Sequence, residues 1–288
     1  MKGNLIEQIS IFLLKNQFTL RVLTRTCFDL VARKESNILF LKIIEDANSV
    51  SKEIAGEMRK ISSYFNASSL ILAEKAGSLL QDNVVYSRFD VYCLNLGTFQ
   101  NCVENKFPFV RRSRAGLVAN ISGDKLRKMR EQEGLSLNSL AKKIGVSSRM
   151  VVKYEQGVSE ITFRRALRIY DLFGGNVFNK INIFTNEFNL MPDSRQTIVE
   201  KKYSELGFDV NEMHKVPFDL IAKKEDDVIL TEIGDKVNLQ FQSLGKIIDA
   251  DNLVIFNKKK PKDIPAVSKE EFLDFNKSKE LIKFVKEF

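Results

Sequence analysis

Apolar and polar positions repeat with two different periods along this chain, and the switches between them mark its elements. Over residues 4–15, NLIEQISIFLLK, the apolar positions return at helical spacing. Residues 28–43, FDLVARKESNILFLKI, read as two apolar strands around the polar turn Glu35-Ser36-Asn37. An amphipathic stretch at 49–65 and a strand at 69–74, SLILAE, follow. The same succession returns near the other end. A helix is predicted over 194–206, a hairpin at 218–233 around Glu225-Asp226-Asp227, an amphipathic stretch at 237–248 and a strand at 252–257, NLVIFN. Between the two series the period is helical. GDKLRKMREQEG predicts a helix with an inner face of Leu126 and Met129, ended by Gly134. ITFRRALRIYDLFGG predicts another, with Phe163, Ala166, Leu167 and Tyr170 inward and Gly174 and Gly175 closing it. Residues 176–193 read as an Asn- and Phe-rich connector, and 268–287 as one terminal amphipathic helix carrying Phe272, Phe275, Leu281, Phe284 and Val285.

The two outer series are copies. At a constant offset of 190, seven of the sixteen hairpin positions are identical: Phe28/Phe218, Asp29/Asp219, Leu30/Leu220, Ala32/Ala222, Lys34/Lys224, Glu35/Glu225 and Ile43/Ile233. The shared order of helix, strands, helix and strand predicts a mixed sheet with helices on its faces. Three domains follow: 1–110, 111–180 and 181–288, the first ending near Phe107-Pro108. The expected class is α+β, with an all-α centre between two α/β flanks.

Charge separates the centre from the flanks. Residues 111–170 carry 14 Lys and Arg against 5 Asp and Glu, a net of +9, whereas the rest of the chain sums to −1. A basic module between nearly neutral halves points to a polyanion, nucleic acid above all. Arg111-Arg112-Ser113-Arg114 at its entrance is read either as a solvated linker or as an arm that neutralises phosphates. Lys258-Lys259-Lys260-Pro261-Lys262 is read as a solvated turn after a strand. Cys27, Cys93 and Cys102 form no CxxC, and His214 is the only histidine. A structural zinc site is therefore not expected, and sparse cysteines suit a reducing cytoplasm. The chain has no apolar run long enough to span a bilayer and no signal-peptide cleavage site, so no membrane partner is expected. GxxxxGK[ST], strand-linked GxGxxG and Ser/His or Cys/His pairings are all missing, and neither a cofactor nor covalent catalysis is expected.

Within the centre, LNSLAKKIGVSSRMVVKYEQ at 137–156 meets the steric demands of two helices crossing over a tight turn. Ala141 is small where the helices approach, and Gly145 is free to take the left-handed turn. Leu140, Ile144, Val146, Val151 and Tyr154 fill the core positions, and Ser136 and Ser147 are predicted N-caps. Residues 124–175, with the run GLSLNSLAKKIGVSSRMVVKYEQG, resemble the Cro and phage-repressor type of DNA-binding domain. That resemblance implies that the second motif helix enters the major groove. It assigns base contacts to Ser148, Arg149 and Lys153, and lets Ser147 cap the helix near a phosphate. A guanidinium can bind the O6 and N7 of guanine together, which makes Arg149 the foremost reader. Lys142, Lys143, Arg164 and Arg165 are expected at phosphates. Leu137, Met150 and Val152 depart from the family by being apolar where polar or DNA-facing groups are usual.

The flanks resemble the restriction-endonuclease-like or Holliday-resolvase-like fold. Active members of that fold carry an Asp on one strand and an acidic-x-Lys triplet on the next. Asp29 and Asp219 match the first acid, but the triplets read Lys42-Ile43-Ile44 and Glu232-Ile233-Gly234, and neither copy is complete. The flanks are thus expected to be degenerate, with Asp29 and Asp219 supporting their hairpins and Lys236 out of register with Glu232. In its full order the chain resembles a family of archaeal helix-turn-helix transcriptional regulators, most clearly from Asp82 to Phe184 and in FDLVARK and ILFLKI. The implied role is regulation of transcription through sequence-specific contact with double-stranded DNA by a homodimer, without enzymatic activity. RNA or a ribosomal particle is the alternative partner of the basic module, and a resolvase-type nuclease is the third reading.

Overall fold

A computed structural model describes residues 2–185 and 197–287. The elements run α1 (Lys2–Lys15), β1 (Thr19–Val22), β2 (Leu30–Lys34), β3 (Asn37–Asp46), α2 (Lys52–Phe65), β4 (Ser68–Ala76), β5 (Ser78–Leu79), β6 (Val84–Arg88), β7 (Val91–Leu94) and α3 (Leu96–Val103). Then come β8 (Val110–Ser113), β9 (Gly116–Ala119), α4 (Gly123–Gln132), α5 (Leu137–Ile144), α6 (Ser148–Glu155), β10 (Ile161–Thr162) and α7 (Phe163–Phe173). The last part holds α8 (Ile198–Glu205), β11 (Asp209–Glu212), β12 (Leu220–Lys224), β13 (Asp227–Ile233), α9 (Leu239–Ile248), β14 (Asp251–Phe256), β15 (Ala266–Ser268), α10 (Lys269–Asp274) and α11 (Ser278–Lys286).

These elements divide into two units. One joins the first 72 residues, 89–91 and the chain from 184 onward; the other holds 73–88 and 92–183. The first unit contains both copies of the repeat as two lobes. In one lobe β1, β2, β3 and β4 lie side by side, and in the other β11, β12, β13, β14 and β15 do. The hairpin registers are superimposable at the offset of 190: Leu30 pairs with Leu41, and Leu220 with Thr231. Both turns are held by a non-glycine residue in the left-handed region, Glu35 at φ 54° and Glu225 at φ 55°. In each lobe a lysine ammonium sits over a phenylalanine ring, Lys34 over Phe18 at 5.9 Å and Lys224 over Phe208 at 5.8 Å. β13 and β14 run parallel, joined by α9, as the mixed-sheet expectation requires.

The lobes also pack on each other reciprocally. α9 of the second lies on β1 and β2 of the first, and α2 of the first lies on β12 of the second. The backbone N–H of Thr24 donates to Gln240 Oε1 at 3.2 Å, and that of His214 donates to Glu57 Oε2 at 2.7 Å. Arg33 donates to the carbonyl of Ile247 at 3.4 Å, and Lys223 to that of Tyr64 at 2.8 Å. Thr24/His214 and Arg33/Lys223 are offset by 190, while Glu57/Gln240 and Tyr64/Ile247 are offset by 183. Each bond thus has a counterpart with the lobes exchanged, the signature of a twofold pair built inside one chain.

Four expectations are corrected. The centre is not all-α: β8 and β9 form a hairpin at its entrance, and β10 joins it. Val110 and Val118 bury their side chains there while Gly116 takes φ +111°, so Arg111–Ser113 run as a strand and the chain turns at Arg114. The helix over 161–175 buries Ala166, Ile169 and Phe173, leaving Leu167 and Tyr170 about half exposed. Two apolar stripes share that helix, and packing selects one. The terminal helix is broken into α10 and α11, because Phe275 adopts an extended backbone (φ −60°, ψ 126°). The predicted connector includes a β-bridge between Ile121 and Phe178 and the buried Ile183. Its remainder from 186, and positions 194–196 of the predicted helix, lie outside the described residues.

Candidate nucleic-acid interface

The helix-turn-helix is built from short helices whose ends are tied by side chains. Ser136 Oγ accepts the N–H of Ser139 at 3.1 Å, and Ser147 Oγ accepts that of Met150 at 3.3 Å, so both predicted caps act at their helices. Gly145 ends α5 at φ +74°, its N–H bonded to Ala141. Leu126, Leu140, Ala141, Ile144, Val151, Tyr154, Ile161, Ala166, Ile169 and Phe173 form one core cluster. Leu137, Val146 and Met150 pack against it. The apolar character of Leu137 and Met150 therefore serves this packing.

Sequence reasoning missed two supports of this core. Arg130 on α4 grips Glu155 at the end of α6 with two bonds, Nε to Oε1 at 2.5 Å and Nη2 to Oε2 at 3.0 Å, and also donates to the carbonyl of Leu135 at 3.0 Å. Both side chains are buried. Helical spacing offered a signal, since Arg130 falls four residues after the buried Leu126 and Glu155 follows the buried Tyr154. Gly123, at the start of α4, touches the end of α6; a Cβ there would lie 2.2 Å from the carbonyl oxygen of Glu155. Nothing in the sequence distinguishes that close approach from an ordinary loop glycine.

The candidate contact residues fall into two groups. Lys142 and Lys143 in the last turn of α5, Arg149 and Lys153 on α6, and Arg164 in the first turn of α7 are exposed, and none is paired with a carboxylate among the described residues. Arg165 is half-buried. Ser147 is exposed but spends its oxygen on the cap, and the half-buried Ser148 donates its hydroxyl to Asn138 Oδ1 on α5. Ser148 thereby couples the two motif helices. The hairpin of β8 and β9 adds Arg112 and Arg114, both exposed, while Arg111 is paired with Glu160 in the loop that follows α6.

The two lobes have a different chemistry around Asp29 and Asp219. In the first, Asp29 Oδ2 accepts the N–H of Ile43 at 2.8 Å, and Lys42 brings its ammonium to 3.4 Å from Oδ1. A buried lysine thus supplies positive charge beside the acid. In the second, Asp219 Oδ2 accepts the N–H of Ile233 at 2.6 Å, and both carboxylate oxygens of Glu232 share the N–H of Asn238 at 2.9 and 3.0 Å. Burial pushes the Glu232 carboxyl up to about 7; the Asn238 N–H works against that shift and the charge of Asp219 adds to it. A cavity of about 490 Å³ lies here, with Thr197, Asp219, Ile233, Asn257 and Lys269 on its wall. The described residues contain no group of three or more His, Cys, Asp and Glu able to hold a metal ion. All three cysteines are buried and outside any disulfide, and burial pushes the thiol of Cys102 up to about 12. Asp235 accepts the N–H groups of Asn257, Lys258 and Lys259, which shapes the Lys258–Lys262 turn and holds its carboxyl below the usual range. No described helix is long and apolar enough to cross a membrane.

Capped crossing helices with exposed cations define a helix-turn-helix protein, here joined to an α/β first lobe and a mixed-sheet second lobe. Comparison with known sequences agrees. Residues 2–108 match the PD-(D/E)XK superfamily domain, and residues 126–177 match the helix-turn-helix family. A protein of Archaeoglobus fulgidus named "Putative HTH-type transcriptional regulatory protein" is 31% identical over 307 aligned positions, covering 100% of this chain and 98% of the relative. Like-named proteins of Methanocaldococcus jannaschii (29%; 99% and 97% covered) and Thermococcus gammatolerans (28%; 90% and 87% covered) are also similar. The chain belongs to this family of HTH-type transcriptional regulatory proteins with archaeal members. No solved structure matches it.

Proposed function

We propose that the chain regulates transcription by binding a specific duplex DNA sequence. Arg149 reads a base edge from α6, assisted by Lys153 and Ser148, while Lys142, Lys143 and Arg164 meet phosphates. The observation that carries this reading is one helix with two opposed faces. Val151 and Tyr154 lock α6 into the core, whereas Arg149 and Lys153 project outward without an acidic partner. The helix-turn-helix match and the names of the relatives support it. Because the chain carries one matched motif, two copies on a palindromic site are expected. Binding of the full chain to genomic fragments in a gel shift tests the reading. Arg149→Ala should weaken the selected site by roughly 10- to 100-fold and relax preference at one base pair. Unchanged affinity and preference would show that α6 does not read the sequence.

The same reading makes the lobes non-catalytic. Lys42 stands beside Asp29, and neither triplet offers a lysine at its third position. Incubation with Mg²⁺ and branched or linear DNA should leave both substrates intact. Cleavage that disappears in Asp219→Ala would instead make the second lobe a nuclease.

A further inference from the structure

We propose that the hairpin of β8 and β9 is a wing that grips the phosphate backbone beside the segment read by α6. The inference deepens the DNA-binding reading and rests on it. The hairpin is stiff at its tip, where Ser113 Oγ donates to the carbonyl of Gly116 at 3.1 Å and accepts the N–H of Ala115 at 3.2 Å. Its base is fused to the motif. Ile161 and Thr162, between α6 and α7, pair with Ala119 and Val118 of β9, and Arg111 binds Glu160 one residue before that strand.

Register then sets the reach. Thr162 lies opposite Val118, but the pairs Arg112–Leu117 and Ser113–Gly116 continue past it. The hairpin therefore extends two further residues, roughly 7 Å, beyond the strand that leads into α7. Arg112 and Arg114 sit on this extension, exposed and with no carboxylate partner among the described residues. Arg111, at the base, is the arginine whose charge is neutralised internally. The sorting fits a polyanion at the tip and a structural bond at the root. Arg164 and Arg165 follow Thr162 after the single residue Phe163, so cations on two elements flank the same strand end. A guanidinium fork suits phosphate oxygens, which it can bind through two parallel N–H groups.

The test compares the full chain with Arg112→Ala/Arg114→Ala on the duplex selected by the wild type. The double variant should lose about tenfold in affinity near physiological salt, and its salt dependence should flatten by about two counterions. Its hydroxyl-radical footprint should shorten at one edge, while its base preference stays that of the wild type. Arg112→Lys/Arg114→Lys keeps the charge and should recover most of the salt slope. An unchanged slope and footprint in the alanine variant would overturn the wing alone, leaving an Arg149-dependent preference intact. If the wild type binds no duplex, or if the two arginines matter only for RNA or an acidic protein, the wing and its DNA target are both wrong.

Discussion

Single residues in this protein act through what they lack as much as through what they contact. Glu155 is one of two acids within reach of the buried Arg130, and it alone binds the guanidinium twice. Removing it leaves a guanidinium in the core with little compensation, so Glu155→Ala should cost about 3 kcal/mol in denaturant unfolding. DNA binding should fall only as far as folding does. Glu232 works in the opposite direction. Its folded value of about 7 lies above the ordinary value of 4.5, so the folded chain holds the proton more tightly than the unfolded one. Stability from this group is fullest below pH 4.5 and declines as pH rises through 7. Glu232→Gln should therefore melt like the wild type near pH 4 and higher at pH 8. The half-exposed side chain limits the gain to about 1 kcal/mol. A variant that melts lower than the wild type at pH 8 would contradict a strained carboxylate.

Elements are decided by how closely they approach. α4 meets the end of α6 at Gly123, where any side chain would collide with the carbonyl oxygens of Tyr154 and Glu155. Backbone cannot yield there without moving a helix, so Gly123→Ala should destabilise the unit by about 1–3 kcal/mol. Gly134→Ala supplies a comparison, because Gly134 sits at positive φ (63°), which Gly123 does not, and has open space around it. The larger loss at Gly123, measured by thermal melting, would mark contact as the cause. α7 shows the same rule from the other side. Its sequence offers Leu167 and Tyr170 as readily as Ile169 and Phe173, and neighbouring strands choose the second pair.

At the scale of the molecule, the two lobes are a dimer folded into one chain. Glu57 and Gln240 fill equivalent roles across the lobe boundary, as do the carbonyls of Tyr64 and Ile247. The faces carrying α9 and α2 are thus engaged within one chain. Arg33→Ala and Lys223→Ala lie in different lobes, yet each should lower the stability of the joined pair by about 1 kcal/mol. Both should leave the number of chains per particle unchanged in sedimentation. A shift to a smaller particle would show that these bonds serve an intermolecular contact.

Much of this was written in local pattern. Ser136, Ser147, Ala141 and Gly145 announced the motif because caps, small contacts and left-handed turns depend on a few neighbouring residues. The repeat announced two like lobes because both copies kept the same hairpin alternation, and Asp29 and Asp219 kept the same backbone bond to residues fourteen positions later. Periodicity could not choose between two stripes on α7, foresee the break at Phe275, or tell a basic linker from a hairpin. Those outcomes depend on distant partners: β10 reaching β9, Arg130 reaching Glu155, and each lobe donating to the other. Long-range contacts leave no spacing in the chain, so only the folded arrangement decided which surfaces were consumed and which arginines stayed free.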